Sequence, residues 1–201
     1  MEKLPDKRTV DMRIISEWIE SDSSVLDLGC GRGVLLEYLI QTKSVFGVGV
    51  DWNMEKVSSC IKRGVPAYQG DLIELMKSFP DKFFDRVVCS RTVQELNNPA
   101  QVLLEALRLA DSVTVGFVNY GYWKNRFHHL VSGSHIINEV NLYEWYEGPP
   151  THPISISEFE WFCNRHHIEV TRRVYLRGDW ETPCEYLPNL LCGYALFELT
   201  Q

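Results

Sequence analysis

The run Val25-Leu26-Asp27-Leu28-Gly29-Cys30-Gly31-Arg32-Gly33 places three glycines at alternate positions, with a carboxylate two residues before the first. Glycine at this spacing lets a strand turn tightly into a helix and lets the backbone approach a ligand closely. Three ligand classes use such a loop. A phosphate-cradling P-loop requires lysine and then Ser or Thr after its last glycine, and no lysine follows here. A dinucleotide fingerprint wants Gly or Ala at its third position, which is Val34 in this chain. The third class, the adenosylmethionine loop, takes an acid two residues before G-x-G-x-G, and Asp27 fills that slot. A purely structural glycine turn is the plain alternative.

Further acids fit a ligand at that loop. Asp51 lies 24 residues after Asp27, at the end of the next apolar run, where a carboxylate can accept both hydroxyls of a ribose. Gly70-Asp71-Leu72 follows a third run, where an acid can accept from an adenine amino group. Each of these acids can equally be a helix N-cap. Trp52 can lie on an adenine face or fill a core. Ligands of open α/β sheets sit at the carboxyl ends of the strands, so acids at successive strand ends reinforce one another. Cofactor contacts are therefore expected from Asp27, Gly29, Cys30, Gly31, Gly33, Asp51, Trp52, Asp71, Leu72 and Ser90.

The elements that must carry these residues alternate as strand and helix, the sequence form of βαβ units. A helix is expected over 6–20, with Val10, Ile14, Ile15, Trp18 and Ile19 on one face. A strand over 24–28 leads through the glycines into a helix with Val34, Leu35, Tyr38 and Leu39 inward. A strand over 45–50 and a helix over 51–63 follow, the helix stopped by Gly64. Further strands are expected over 65–69, 85–89 and 112–118, with a helix over 99–109 that starts on Pro99. After a break come a helix over 155–167 opening on Ser157, with Phe159, Phe162 and Cys163 inward, and strands over 168–176 and 193–199. The break, 119–153, holds seven of the 24 aromatic residues and four of the six histidines. Such an insertion is a lid, a partner surface or a small local core.

Composition bounds the rest. The 201 residues form one domain, at 45% hydrophobic and 23% charged, with no internal repeat or linker. A net charge of −7 argues against a phosphate-backbone binder, so no nucleic-acid partner is expected. No apolar run approaches the roughly 20 residues that span a bilayer, and no signal peptide is visible. A cytoplasmic protein with no membrane partner is the expectation. The six cysteines lack any C-x-x-C pair and read as reduced thiols, most of them buried. No metal is expected: Cys184 and Cys192 lack zinc spacing, and the adjacent pairs His128-His129 and His166-His167 cannot share a face.

From about Val25 onward the chain resembles the methionine biosynthesis protein MetW family, within the class I S-adenosylmethionine-dependent methyltransferases. The likeness rests on the glycine loop, Arg63-Gly64-Val65, Gln69-Gly70-Asp71-Leu72, Phe84-Asp85 and Ser90-x-Thr92-x-Gln94. It continues through Asn119-Tyr120-Gly121-x-Trp123, Tyr143-Glu144-Trp145-Tyr146, His152 and Ile156-x-x-Phe159-Glu160. The chain departs from the family at Val118, usually proline, at Arg91, commonly glutamine, and at Thr151, usually asparagine. The resemblance implies a three-layer αβα, Rossmann-like fold with a seven-stranded, mostly parallel sheet whose last strand is antiparallel. It implies S-adenosylmethionine as cofactor and, if the chain is catalytic, a small-molecule methyl acceptor. It also implies an association with homoserine O-acetyltransferase, which a non-catalytic adenosylmethionine-sensing subunit would serve. Substrate or partner contacts are expected from Asn119, Tyr120, Trp123, Tyr143, Trp145 and His152. If a base is needed, His152, Tyr120 and Glu95 are candidates.

Overall fold

In the computed structural model, which describes residues 9–134, 136, 137, 146 and 151–201, seven strands form one sheet. They are β1 (Ser24–Leu28), β2 (Phe46–Asp51), β3 (Ala67–Gln69), β4 (Phe84–Ser90), β5 (Ala110–Val118), β6 (Glu169–Leu176) and β7 (Tyr194–Thr200). Their order is β3-β2-β1-β4-β5-β7-β6, with β7 antiparallel to both neighbours and every other pair parallel. All strands but β7 therefore end at one edge. That edge gathers the glycine loop and the acids.

The helices are α1 (Thr9–Trp18), α2 (Val34–Lys43), α3 (Met54–Lys62), α4 (Leu72–Lys77), α5 (Pro99–Leu109), α6 (Trp123–Ser132), α7 (Ile156–Arg165) and α8 (Pro188–Leu191). Strand residues alternate between the two faces of the sheet. Val25, Val88, Tyr194 and Leu196 pack with Ile15 and Trp18 of α1 and Leu35, Leu36 and Leu39 of α2. Leu26, Val87, Cys89, Phe117 and Phe197 pack with Val102 and Leu107 of α5 and Phe159 and Cys163 of α7. The layers are αβα, as expected.

Most expected elements are present, and β1 and α5 have the expected limits. Others are corrected. Tyr38 is exposed, because the inward stripe of α2 runs through Leu35, Leu36 and Leu39. Helix α3 opens on Asn53 rather than Asp51, its side chain accepting from the amides of Glu55 and Lys56. Helix α7 is capped by Ser155, in a capping box with Glu158, and not by Ser157. Helices α4, α6 and α8 were not expected. Cys184 and Cys192 are disulfide-bonded, which corrects the reading of six reduced thiols; Cys30, Cys60, Cys89 and Cys163 are free and buried. The bond forms because the β6–β7 connection folds back on itself. The Cys184 amide donates to Tyr175 and the Gly193 amide to Leu176, which brings the two Cα atoms to 6.1 Å. No helix among the described residues is long and apolar enough to cross a membrane.

Candidate ligand site at the carboxyl edge of the sheet

The glycine loop turns over the end of β2. The amides of Gly29 and Cys30 both donate to the Val50 carbonyl, at 2.8 and 3.0 Å. Gly29, Gly31 and Gly33 all hold positive φ, between 58° and 75°, a region other residues seldom occupy. At Gly29 a side chain also has no space, since a Cβ there overlaps Thr92.

Asp51, 3% exposed, holds the loop in place. Its Oδ2 accepts from the Gly31 amide at 3.1 Å and its Oδ1 from the Asn53 amide at 2.9 Å, while Lys56 Nζ stands 3.6 Å from Oδ2. A carboxylate offers about four acceptor positions, so two amide bonds leave capacity for a diol. Asp27 is buried as well, and its carboxyl is pushed up to about 7, first by burial and second by the charge of Asp51. The two acids therefore differ: one is anchored by amides, the other is held near neutrality by a dry site.

Trp52 is 77% exposed, so it is not a core residue. The Gln69 side chain donates to its carbonyl at 3.1 Å and fixes this turn to β3. Asp71 is the N-cap of α4, Oδ1 accepting from the amides of Ile73 and Glu74 at 2.8 and 3.1 Å. The cap alternative is thus realised there. Leu72 packs on the core behind it. Cys30 is buried beneath the loop, 3.8 Å from Cys60 sulfur to sulfur. Ser90 ends β4 with its hydroxyl 3.0 Å from that of Tyr194.

The expected substrate-side residues divide. Asn119 is fully buried: its amide nitrogen reaches the carbonyls of Asn189 and Cys192 at 3.2 and 2.7 Å, and its oxygen accepts from the amides of Gly121 and Ile156. It joins the end of β5 to α7 and α8. Gln94 is a second joint, bonded to both the amide and the carbonyl of Val118 and to the carbonyl of His152. The Gln94 carbonyl also accepts from the His152 amide at 2.7 Å, which leaves the imidazole of His152 exposed beside this wall. Trp123 opens α6 and is 44% exposed. Burial raises the pKa of Tyr120, which keeps its phenol protonated. Glu95 is also raised, by burial first, against the Lys56 ammonium and with the Asp51 charge, so it is a stronger base than an ordinary glutamate. Tyr143 and Trp145 lie outside the described residues.

Sequence reasoning missed a cluster beside Ser90. The Arg91 guanidinium pairs with buried Asp11 of α1 and lies against Trp180 and Tyr194. The only signal was the departure at residue 91 from the glutamine common in the resembling family.

The family profile described as methionine biosynthesis protein MetW matches residues 9–199. A relative from Rhodopirellula baltica, the bifunctional methionine biosynthesis protein MetXA/MetW, is 33% identical over 132 residues. That match covers 62% of this chain and 21% of the relative, so the chain spans only about a fifth of that protein. Among solved structures, an S-adenosylmethionine-dependent methyltransferase from Archaeoglobus fulgidus is similar at TM-score 0.68 and 16% identity, covering 95% of this chain and 91% of the other. A methyltransferase from Thermotoga maritima, described as a possible histamine N-methyltransferase, gives TM-score 0.66 at 17% identity, with coverages of 95% and 87%. The [4+2]-cyclase SpnF gives 0.68 at 15%, with coverages of 98% and 85%. At these identities the likeness establishes the fold.

Proposed function

The chain belongs to the methionine biosynthesis protein MetW family, and from that premise we propose that it binds S-adenosylmethionine at the glycine loop and acts as a small-molecule methyltransferase. One observation carries this reading. The left-handed turn of Gly29, Gly31 and Gly33 is bonded directly to the carboxylate of Asp51, so loop and diol acceptor form one unit at the carboxyl edge of the sheet. Gly31 and Gly33 supply the backbone approach, Asp51 the ribose contact, and the exposed Trp52 a face for adenine. Asp27, ionised as a cation nears it, favours the sulfonium end of the ligand.

When bound, the cofactor supplies a methyl group on a cationic sulfur and a neutral thioether leaving group. The protein's part is then orientation, which can provide roughly 7–11 kcal/mol of barrier lowering without a dedicated base. The wall built by Gln94 and His152 and the raised carboxyl of Glu95 border the space where an acceptor would stand.

A second reading is favoured by the relative that unites MetXA and MetW in one bifunctional chain. In it, the chain is an adenosylmethionine-sensing subunit of homoserine O-acetyltransferase. The exposed apolar side chains of α6, among them Trp123, Phe127 and Val131, line a groove of about 410 Å³ suited to a partner.

Calorimetric titration with adenosylmethionine tests the premise common to both. Binding by the wild type and its loss by about tenfold or more in Asp51→Ala, with the fold checked by circular dichroism, is the expected result. No binding by the wild type ends both readings. To separate them, the chain is co-purified with a homoserine O-acetyltransferase and acetyl transfer is measured with and without adenosylmethionine. A methylated product in a metabolite screen supports the enzyme; a complex whose rate responds to adenosylmethionine supports the sensor.

A further inference from the structure

Two side-chain-bearing residues in the left-handed region meet at the carboxyl edge: Arg91 (φ 63°), just after β4, and Trp180 (φ 62°), in the connection after β6. Backbone strain of this kind persists only where surrounding contacts over-determine it. The Arg91 amide is held by the Gly116 carbonyl at 2.7 Å. The guanidinium carbon lies 4.6 Å from the centre of the Trp180 ring and 5.7 Å from that of Tyr194, and those two rings stack with centres 4.7 Å apart. Arg91 Nε donates to Asp11 Oδ2 at 2.9 Å, and Nη2 lies 2.8 Å from the same oxygen.

Two aromatic rings and a carboxylate are the groups with which proteins recognise an organic cation. All three are deeply buried here, Asp11 at 2%, Trp180 at 7% and Tyr194 at 0% exposure. The cluster is also imperfectly matched. Asp11 Oδ1, Arg91 Nη2 and the Trp180 indole nitrogen are buried without a hydrogen-bond partner. Arg91 reaches Asp11 from a fixed backbone anchor, so Nε and Nη2 both fall on one oxygen and only Nε makes a hydrogen bond there. A guanidinium without that tether can turn its planar fork toward both carboxylate oxygens.

We propose that Asp11, Trp180 and Tyr194 form a pocket for a small organic cation, and that Arg91 is its built-in occupant. Arg91 thereby shuts diffusible guanidinium, ammonium and sulfonium compounds out of this part of the edge and ties α1 to the sheet. The pocket stands on these four residues alone and does not depend on the cofactor reading.

Arg91→Gly empties the pocket and relaxes the left-handed position. Methylguanidinium chloride is titrated into the wild type, into Arg91→Gly, and into Arg91→Gly combined with Asp11→Asn, with potassium chloride as the ionic-strength control. Saturable binding to Arg91→Gly is expected with a Kd of about 1 mM, the range of a charged fragment, and about tenfold weaker or worse in the other two proteins. The proposal is overturned if a folded Arg91→Gly shows no saturation up to about 20 mM, or if wild type or double variant binds equally well. Arg91→Gly leaves Asp11 buried without its partner and can fail to fold for that reason. In that event about 20 mM methylguanidinium, and not potassium chloride, restores the native circular dichroism spectrum; failure to restore it also overturns the proposal.

Discussion

Replacing Asp27 by asparagine isolates one charge in a dry site. In the folded protein this carboxyl titrates at about 7 instead of 3.8, chiefly because burial disfavours its charged form and secondarily because Asp51 is close. A folded pKa above the unfolded one means that the native state holds a proton which the unfolded chain releases between these values. Asp27 therefore costs nothing well below its unfolded value of 3.8, where both states are protonated, and its cost grows as the pH rises toward 7. From 3.8 to about 7, at 1.36 kcal/mol per pH unit, the full cost is about 4 kcal/mol. Asp27→Asn keeps the shape and removes the titration. Urea unfolding of both proteins from about pH 4.5 to 8 should show the variant more stable, by a gap that widens to about 4 kcal/mol near pH 7 and is flat above it. Thermal unfolding at pH 8 should show the same gap as a rise in Tm of about 8 °C or more. Parallel curves, or a variant less stable at high pH, would refute the reasoning. On the proposed function, the same variant should bind adenosylmethionine more weakly, because the charge that burdens the apo fold is the one a sulfonium would meet.

Two loop glycines should respond differently to alanine. At Gly29 both the positive φ and the overlap with Thr92 act, so Gly29→Ala should cost about 3 kcal/mol or more, while Gly31→Ala, with open space around it, should cost about 1 kcal/mol in urea unfolding. Asn119→Ala takes the side-chain partner from the Cys192 carbonyl and from the amides of Gly121 and Ile156 and should lower stability by about 3 kcal/mol or more; a loss under about 1 kcal/mol would count against Asn119 as the joint of β5, α7 and α8. Cys192→Ser opens a disulfide between residues 8 apart, and the loop-closure relation gives a loss of about 2.5 kcal/mol, readable as a lower urea midpoint that matches the effect of reductant on the wild type. Ser155→Ala removes the α7 capping box and should cost about 1 kcal/mol with the far-ultraviolet spectrum of the rest unchanged.

Legibility along the chain followed the reach of the interactions. β1 ends where its apolar run meets Gly29, and α5 runs from Pro99 with Asn98 as its cap, so both have the limits expected from local pattern. α4 has only six residues, too few for a helical period to stand out. α6 escaped for a different reason: its apolar residues Phe127, Leu130 and Val131 face outward, so its pattern describes a surface and not a core stripe. Two residues of the motifs that carry the family resemblance, Gln94 and Asn119, turn out to be joints between backbone segments, a role their side chains do not announce.

By itself the sequence determined the βαβ rhythm, the glycine loop between strand and helix, and the acids at the strand ends, since propensity, capping and glycine's missing Cβ act within a few residues. Tertiary structure alone decided the rest. Parallel pairing of β1 with β2 laid the loop against Asp51, and burial beneath it raised the pKa of Asp27. Arg91 met Asp11 across 80 residues, and met Trp180 and Tyr194 on the face of the sheet that α1 covers. Burial, long-range ion pairing and the Cys184–Cys192 bond depend on chain segments that only the packed sheet brings together, so no local pattern carries them.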